Sequence, residues 1–154
     1  MKVSEIMTPA AVTDRPEDTL TEAARKMWEQ QTGSLVVTVG DELIGIVTER
    51  DILKAVATGT PLDETRVSDA MTKDVITAHP GMSLREAAGI MTDKWIRHLP
   101  VLDRGALVGI LSQRDLSGVL AGALNEPDTL ERVVDASALA RERRLKRIEH
   151  GVWD

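Results

Sequence analysis

The chain states its pattern twice, at a constant distance of 64 residues. Val3-Ser4-x-x-Met7-Thr8 returns as Val67-Ser68-x-x-Met71-Thr72. Leu20-x-Glu22-Ala23-Ala24-x-x-Met27 returns as Leu84-x-Glu86-Ala87-Ala88-x-x-Met91. Leu43-x-Gly45-Ile46 and Arg50-Asp51 return as Leu107-x-Gly109-Ile110 and Arg114-Asp115. No insertion interrupts the register. A period this long, with one α/β unit per copy, predicts two copies that complete each other's core. A single copy of roughly 60 residues buries too little surface to stand alone comfortably. One packed pair is therefore expected, with two similar clefts between its halves.

Within each copy the periodicities predict strand, helix, strand, strand, helix. Thr19 and Ser83 each precede a Glu three residues on, which is the capping-box signature of a helix start. Apolar residues then recur at helical spacing from Leu20 to Trp28 and from Leu84 to Met91. The β-branched run Leu35–Val39 and the segment Leu43–Val47 read as hairpin strands around Gly40-Asp41. Their second-copy counterparts are Leu99–Leu102 and Leu107–Leu111. Pro100 lacks a ladder donor, which predicts an edge or an irregular end. Helices are expected over Glu49–Ala57, with Ile52, Leu53 and Val56 on one face, and over Gln113–Ala121. The expected division is residues 1–59, a polar linker over 60–66, residues 67–123, and a charged helical tail over 124–154.

Composition narrows the function classes. Without Phe or Tyr the core must be aliphatic, and Trp28 and Trp95 read as packing residues or, alternatively, as a dimer contact. The formal charge of −6 disfavours a general nucleic-acid surface. Without cysteine there is neither a disulfide framework nor thiolate chemistry. His79, His98 and His150 have no metal-site spacing. No run approaches the ~20 apolar residues of a membrane helix, the N-terminus has no apolar signal core, and a cytoplasmic protein is expected. Nothing pairs a nucleophile with a base, so an enzyme is not expected. The basic cluster Arg141, Arg143, Arg144, Lys146 and Arg147 suits a solvated helix end, a partner helix, a dimer arm or an anionic contact.

The sharpest chemical signal is Gly-x-x-[Thr/Ser]-x-x-Asp, present as Gly45…Thr48…Asp51 and as Gly109…Ser112…Asp115. Thr48 and Ser112 stand where a strand becomes a helix. A hydroxyl there caps the helix, and the neighbouring N–H groups suit an anion. Asp51 and Asp115 are placed to accept from two ribose hydroxyls. The same spacing also makes a capping box with no ligand at all.

These residues resemble a known family. Across residues 1–123 the chain is similar to a tandem pair of cystathionine β-synthase (CBS) domains. The resemblance rests on the Val-Ser-x-x-Met-Thr openings, the Leu-x-Glu-Ala-Ala helices, Arg97-His98-Leu99-Pro100-Val101 with Asp103, and both Gly-x-x-[Thr/Ser]-x-x-Asp segments. It implies an α/β (α+β) fold of two pseudo-twofold-related β-α-β-β-α repeats packed as one module, here followed by a C-terminal helix. It also implies clefts for an adenosine-containing regulatory ligand: AMP, ADP, ATP or NAD(H), with S-adenosylmethionine as the alternative. In this resemblance one cleft draws on Thr48 and Asp51 with Thr77, Arg97 and His98. The other draws on Ser112 and Asp115 with Thr13, Gly33 and Ser34. Arg97 offers bidentate phosphate contacts and His98 a titratable donor, so the Asp51 cleft is expected to be the better phosphate site. The resemblance further implies a homodimer and an unidentified protein effector. A ligand-free interaction platform is the competing reading.

Overall fold

The computed structural model describes residues 1–124, together with Ala138, Arg141, Glu142, Leu145 and Lys146. The expected tail helix and its basic cluster otherwise lie outside the described residues. Two α+β units of like plan are packed into one module. The first runs through a 3-10 turn at Val3–Glu5, β1 (Thr13–Asp14), α1 (Leu20–Gln30), β2 (Ser34–Val39), β3 (Glu42–Thr48) and α2 (Glu49–Ala57). The second runs through α3 (Val67–Ala70), α4 (Leu84–Lys94), β4 (His98–Asp103), β5 (Ala106–Ser112) and α5 (Gln113–Ala123).

The copies exchange their openings. Val3 is buried among Ala78, Met82, Ala87, Met91, Leu99, Val101 and Leu111 of the second unit. Val67 is buried among Leu20, Ala23, Met27, Leu35, Val37, Val47 and Ala55 of the first. The hydrogen bonds are reciprocal as well. Val3 N–H donates to Met82 C=O at 2.9 Å, and Val67 N–H donates to Asp18 C=O at 2.8 Å. Thr8 exchanges both backbone bonds with Ile110, and Thr72 does the same with Ile46. Each opening is thus an extra bridge on the other copy's sheet. This is how two undersized cores complete one another.

Gly45 and Gly109 permit that approach. A Cβ on Gly109 would stand 2.5 Å from the Thr8 carbonyl oxygen, and one on Gly45 would overlap the Met71 thioether. The polar linker is docked as well: Leu62 packs on the first core, and Leu20 N–H donates to Thr65 C=O.

The sheets differ in one instructive respect. In the first, β1 pairs parallel with β2, which pairs antiparallel with β3. In the second, the strand expected around Thr77 shrinks to a single bridge between Ala78 and Val101. Val36 N–H donates to Val12 C=O at 3.0 Å. Pro100 occupies the position equivalent to Val36 and has no N–H to offer Ile76. Pro100 is fully buried, and the expected edge or irregular position holds: β4 pairs in a ladder only with β5, whose register shifts between Val101 and Leu102, and on its other side it keeps the single Ala78 bridge.

Two packing expectations are corrected. On α2 the inward residues are Ile52 and Ala55, spaced by one turn, whereas Leu53 and Val56 are 67% and 59% exposed. Trp28 is 78% exposed on α1 and is no core residue. Leu20, Ala23 and Met27 already fill that helix's inward stripe.

Candidate functional site

The two helix starts are built alike. Each follows the second strand of its hairpin directly, so the last strand residue becomes the helix cap. Asp51 Oδ2 accepts from Thr48 N–H at 2.8 Å and from the Thr48 hydroxyl at 3.2 Å. Asp115 Oδ2 accepts from Ser112 N–H at 2.6 Å and from the Ser112 hydroxyl at 2.7 Å. Asp115 N–H returns a bond to the Ser112 oxygen at 3.3 Å. The capping reading of the motif is therefore real, but it engages only one oxygen of each carboxylate. Oδ1 of Asp51 and of Asp115 accepts nothing among the described residues, and both side chains are half-buried. A half-buried carboxylate oxygen without a donor is a ready acceptor for a hydroxylated ligand.

The first N–H of each helix is not free for an anion. Glu49 N–H donates to Gly33 C=O at 3.0 Å, and Gln113 N–H donates to Arg97 C=O at 2.9 Å. These bonds tie each helix start to the residue that opens its own hairpin. Ser34 lies opposite Thr48 in the β2–β3 register, and His98 lies opposite Ser112 in β4–β5. By backbone, then, Arg97 and His98 belong with Ser112 and Asp115, and Gly33 and Ser34 with Thr48 and Asp51. The sequence expectation grouped Arg97 and His98 with Thr48 and Asp51 as lining of one cleft, which is a matter of side chains across the copies and separate from strand pairing within a copy. Thr13 pairs with Val36 in the first sheet, and Thr77 adjoins the Ala78 bridge in the second.

The Arg97 side chain nevertheless crosses to the other copy. Its Nη2 meets Glu49 Oε1 at 2.7 Å, with both side chains about half exposed. His98 is half-buried. Burial pushes its imidazole below the usual value of 6.5, with Arg97 reinforcing and Glu49 and Asp115 opposing. Neutral His98 is a donor and an acceptor at once. The Ser34 hydroxyl is buried and has no hydrogen-bond partner among the described residues, an unusual state for a polar atom beside a candidate site.

Two features escaped sequence reasoning. Glu49 sits inside the repeated motif at a variable position, and only its charge relative to Gln113 distinguishes the copies there. The second is a buried ionic group beside β1, formed by Asp14, Lys26, Asp18 and Arg15. Its signal was the contrast with Ala78, Ile90 and Met82 at the equivalent positions. A recess of about 260 Å³ lies on α1, lined by Val12, Glu22, Arg25, Lys26, Glu29 and Gln30. It is open to solvent and separate from both helix starts. Among the described residues no group of three or more His, Asp or Glu side chains is placed to hold a metal ion, and no helix is long and apolar enough to cross a membrane.

Two interlocked α+β units of like plan, each with a capped Asp-bearing helix start after its hairpin, define a tandem-repeat module. The CBS domain family profile matches residues 3–58 and again residues 67–122, and the chain belongs to that family as a tandem CBS pair. Protein MK0525 of Methanopyrus kandleri is 41% identical over 119 residues, which is 75% of this chain and 61% of that protein. The matched region thus spans less than two thirds of that relative's length. Among solved structures, a protein with CBS domains from Burkholderia ambifaria MC40-6 superposes with a TM-score of 0.75 at 35% identity, covering 78% of this chain and 93% of that one. The CBS domain pair of protein MJ0100, solved in complex with 5′-methylthioadenosine and S-adenosyl-L-methionine, gives a TM-score of 0.74 at 28% identity over 79% of this chain and 97% of that one.

Proposed function

We propose that this chain is a ligand-sensing module that binds an adenosine-containing molecule at the junction of its repeats and performs no chemistry on it. The observation that carries the reading is the pair of half-buried Asp51 and Asp115 carboxylates, each fixed through Oδ2 by its own cap and each with Oδ1 left to accept. A carboxylate so held is preorganised for a ribose diol, which lowers the entropy lost on binding. The unpartnered Ser34 hydroxyl and the half-buried His98 add polar partners at the two equivalent positions. The ligands named for the MJ0100 pair, both adenosyl compounds, support the class. Nucleotides AMP, ADP, ATP and NAD(H) share the adenosine moiety and belong to the same test.

Signalling requires that the ligand prefer one conformation or assembly over another. Here a ligand spanning the repeats favours whichever arrangement holds them closed. The protein acts in the cytoplasm as a homodimer in this reading, relaying the ligand state to a protein effector. The exposed Trp28, Leu53 and Val56 on α1 and α2 support a helix-face dimer. They equally support a second reading, in which the module is an interaction platform and the clefts take no ligand.

Thermal unfolding separates the two. A ligand present at 100 times its dissociation constant adds about 2.7 kcal/mol, or roughly 5–10 °C for a domain of this size. The expected result is such a shift with at least one of AMP, ADP, ATP, NAD⁺, NADH or S-adenosylmethionine, diminished in Asp51→Asn or Asp115→Asn relative to each variant's own ligand-free midpoint. No shift with any compound leaves the platform reading standing.

A further inference from the structure

Glu49 has a position that no symmetry of the repeat explains. Its counterpart at the offset of 64 is Gln113, and the counterpart of Arg97 is Gly33. The Arg97–Glu49 pair therefore has no equivalent on the other side of the module, where Gly33 and Gln113 carry no charge. The Glu49 carboxylate also lies against the Gly33 backbone, in space that a side chain there would take. A Cβ on Gly33 would lie 3.2 Å from its Cδ and 3.3 Å from each of its oxygens. The missing side chain at Gly33 gives the carboxylate its room, and Arg97 at 2.7 Å gives it its partner. Since Arg97 C=O holds the first N–H of α5, this one ion pair joins the starts of α2 and α5.

We infer that Glu49 is a specificity-determining residue, acting as a resident counter-anion that biases the junction toward adenosyl ligands whose distal group is neutral or cationic. This inference rests on the cleft reading above. A phosphate that approaches the Arg97 guanidinium either competes with the Glu49 carboxylate for Nη2 or binds the remaining N–H donors beside that carboxylate, and in both cases two anions share one cation. A hydroxymethyl, thioether or sulfonium group leaves the pair intact, and a sulfonium gains from the carboxylate. The pair is half exposed, so the bias is modest and screened by salt. It acts on discrimination more than on total affinity.

The test is isothermal titration of the full chain with adenosine, AMP and S-adenosylmethionine, for the wild type, Glu49→Gln and the double variant Glu49→Gln with Arg97→Gln. Glu49→Gln is expected to raise the affinity for AMP relative to adenosine by about two- to fivefold, the scale of one exposed ion pair. The double variant is expected to lose that gain, because the guanidinium released for phosphate is gone. S-adenosylmethionine is expected to bind Glu49→Gln no better than the wild type. An AMP-to-adenosine ratio unchanged by Glu49→Gln, with binding retained, overturns the inference and leaves the cleft reading in place. No binding of any compound to any variant overturns both. Glu49 is exposed and makes no core contact, so loss of folding does not stand in the way of the result.

Discussion

The space flanking the first strand is filled by salt in one repeat and by hydrocarbon in the other. In the first repeat Asp14 is 2% exposed and Lys26 reaches its Oδ1 at 2.6 Å. Arg15 meets Asp18 at 2.7 Å, and Lys26 lies 4.0 Å from Asp18. In the second repeat the counterparts of Asp14, Lys26 and Asp18 are Ala78, Ile90 and Met82, with Ala78 and Met82 in the core, and only the exposed Arg15 keeps a polar counterpart, His79. One backbone plan thus tolerates two solutions to the same packing problem. The ionic one is the more demanding. Burial raises the Asp14 carboxyl above its ordinary value despite Lys26, and its Oδ2 has no hydrogen-bond partner among the described residues. Burial is the largest influence on Asp18 and works against its charge, but the hydrogen bonds from Arg15 and with Asp14, together with the charges of Arg15 and Lys26, outweigh it and hold that carboxyl low.

The comparison predicts a large effect and a small one from the same site. Lys26→Met removes the cation and leaves Asp14 buried and uncompensated. It is expected to cost about 3 kcal/mol, toward the lower end for a broken buried pair because Lys26 is partly solvated. Roughly 6–12 °C of midpoint is lost for a chain of this size. Copying the second repeat with Asp14→Ala and Lys26→Ile together is expected to stay within about 1 kcal/mol of the wild type, since an apolar replacement removes the desolvation cost as well. The single lesion also carries a pH signature. A carboxyl whose folded pKa lies above its unfolded 3.8 binds more protons when folded, so its penalty is present at neutral pH and relieved as pH falls toward that value. Denaturant melts of Lys26→Met at pH 7 and pH 5 check this. A gap to the wild type that fails to narrow at pH 5 refutes the assignment to Asp14.

The glycines of the exchanged bridges give the next smaller contrast. At Gly109 an added methyl meets the Thr8 carbonyl oxygen at 2.5 Å, a backbone atom that accepts from Ile110 N–H while Thr8 N–H donates back to Ile110 C=O. At Gly45 the main obstruction is the Met71 side chain, which has three rotatable bonds with which to retreat, although Thr72 C=O stands at 3.1 Å. Gly109→Ala is expected to cost about 2 kcal/mol and Gly45→Ala about 1 kcal/mol, both within the range for overpacking. Equal costs in paired denaturant melts tell against backbone contact as the deciding factor.

Much of this architecture was readable from the repeat itself, because a fixed offset transfers each local inference from one copy to the other. The helix starts at Thr19, Thr48, Ser83 and Ser112 follow from hydroxyl-x-x-acid spacing, a local signal. The exchange of Val3 and Val67 was legible only as a demand that two small cores share. Nothing in either opening says which copy it joins. Residue partnerships within the site were the least legible part. Spacing alone does not show that His98 stands opposite Ser112 in the hairpin register, nor that Arg97 reaches Glu49 of the other copy. Glu49 and Asp14 were invisible for a different reason. Each matters through a difference between the copies, whereas the reading was built on what the copies have in common.

The last contrast sets His98 against Ser34, its equivalent at the start of the first hairpin. Burial, reinforced by Arg97, lowers the imidazole pKa in the folded state below 6.5. The unfolded chain therefore takes up its proton first as pH falls. Below 6.5 the unfolded state binds more protons, so stability declines with falling pH, and at pH 8 this contribution to the slope vanishes. Ser34 titrates nowhere in this range. The slope has a ceiling of about 1.4 kcal/mol per pH unit for one proton, and the half-exposed setting of His98, with Glu49 and Asp115 opposing, keeps it below both lesions above. His98→Ser makes the second hairpin start resemble the first and is expected to flatten the stability profile between pH 7 and pH 5.5. A profile as steep in His98→Ser as in the wild type assigns the slope to another group. It also removes the ground for treating His98 as a neutral donor at the site. A flattened profile makes His98 the group through which acidity reaches the junction, where Arg97 is already shared with Glu49.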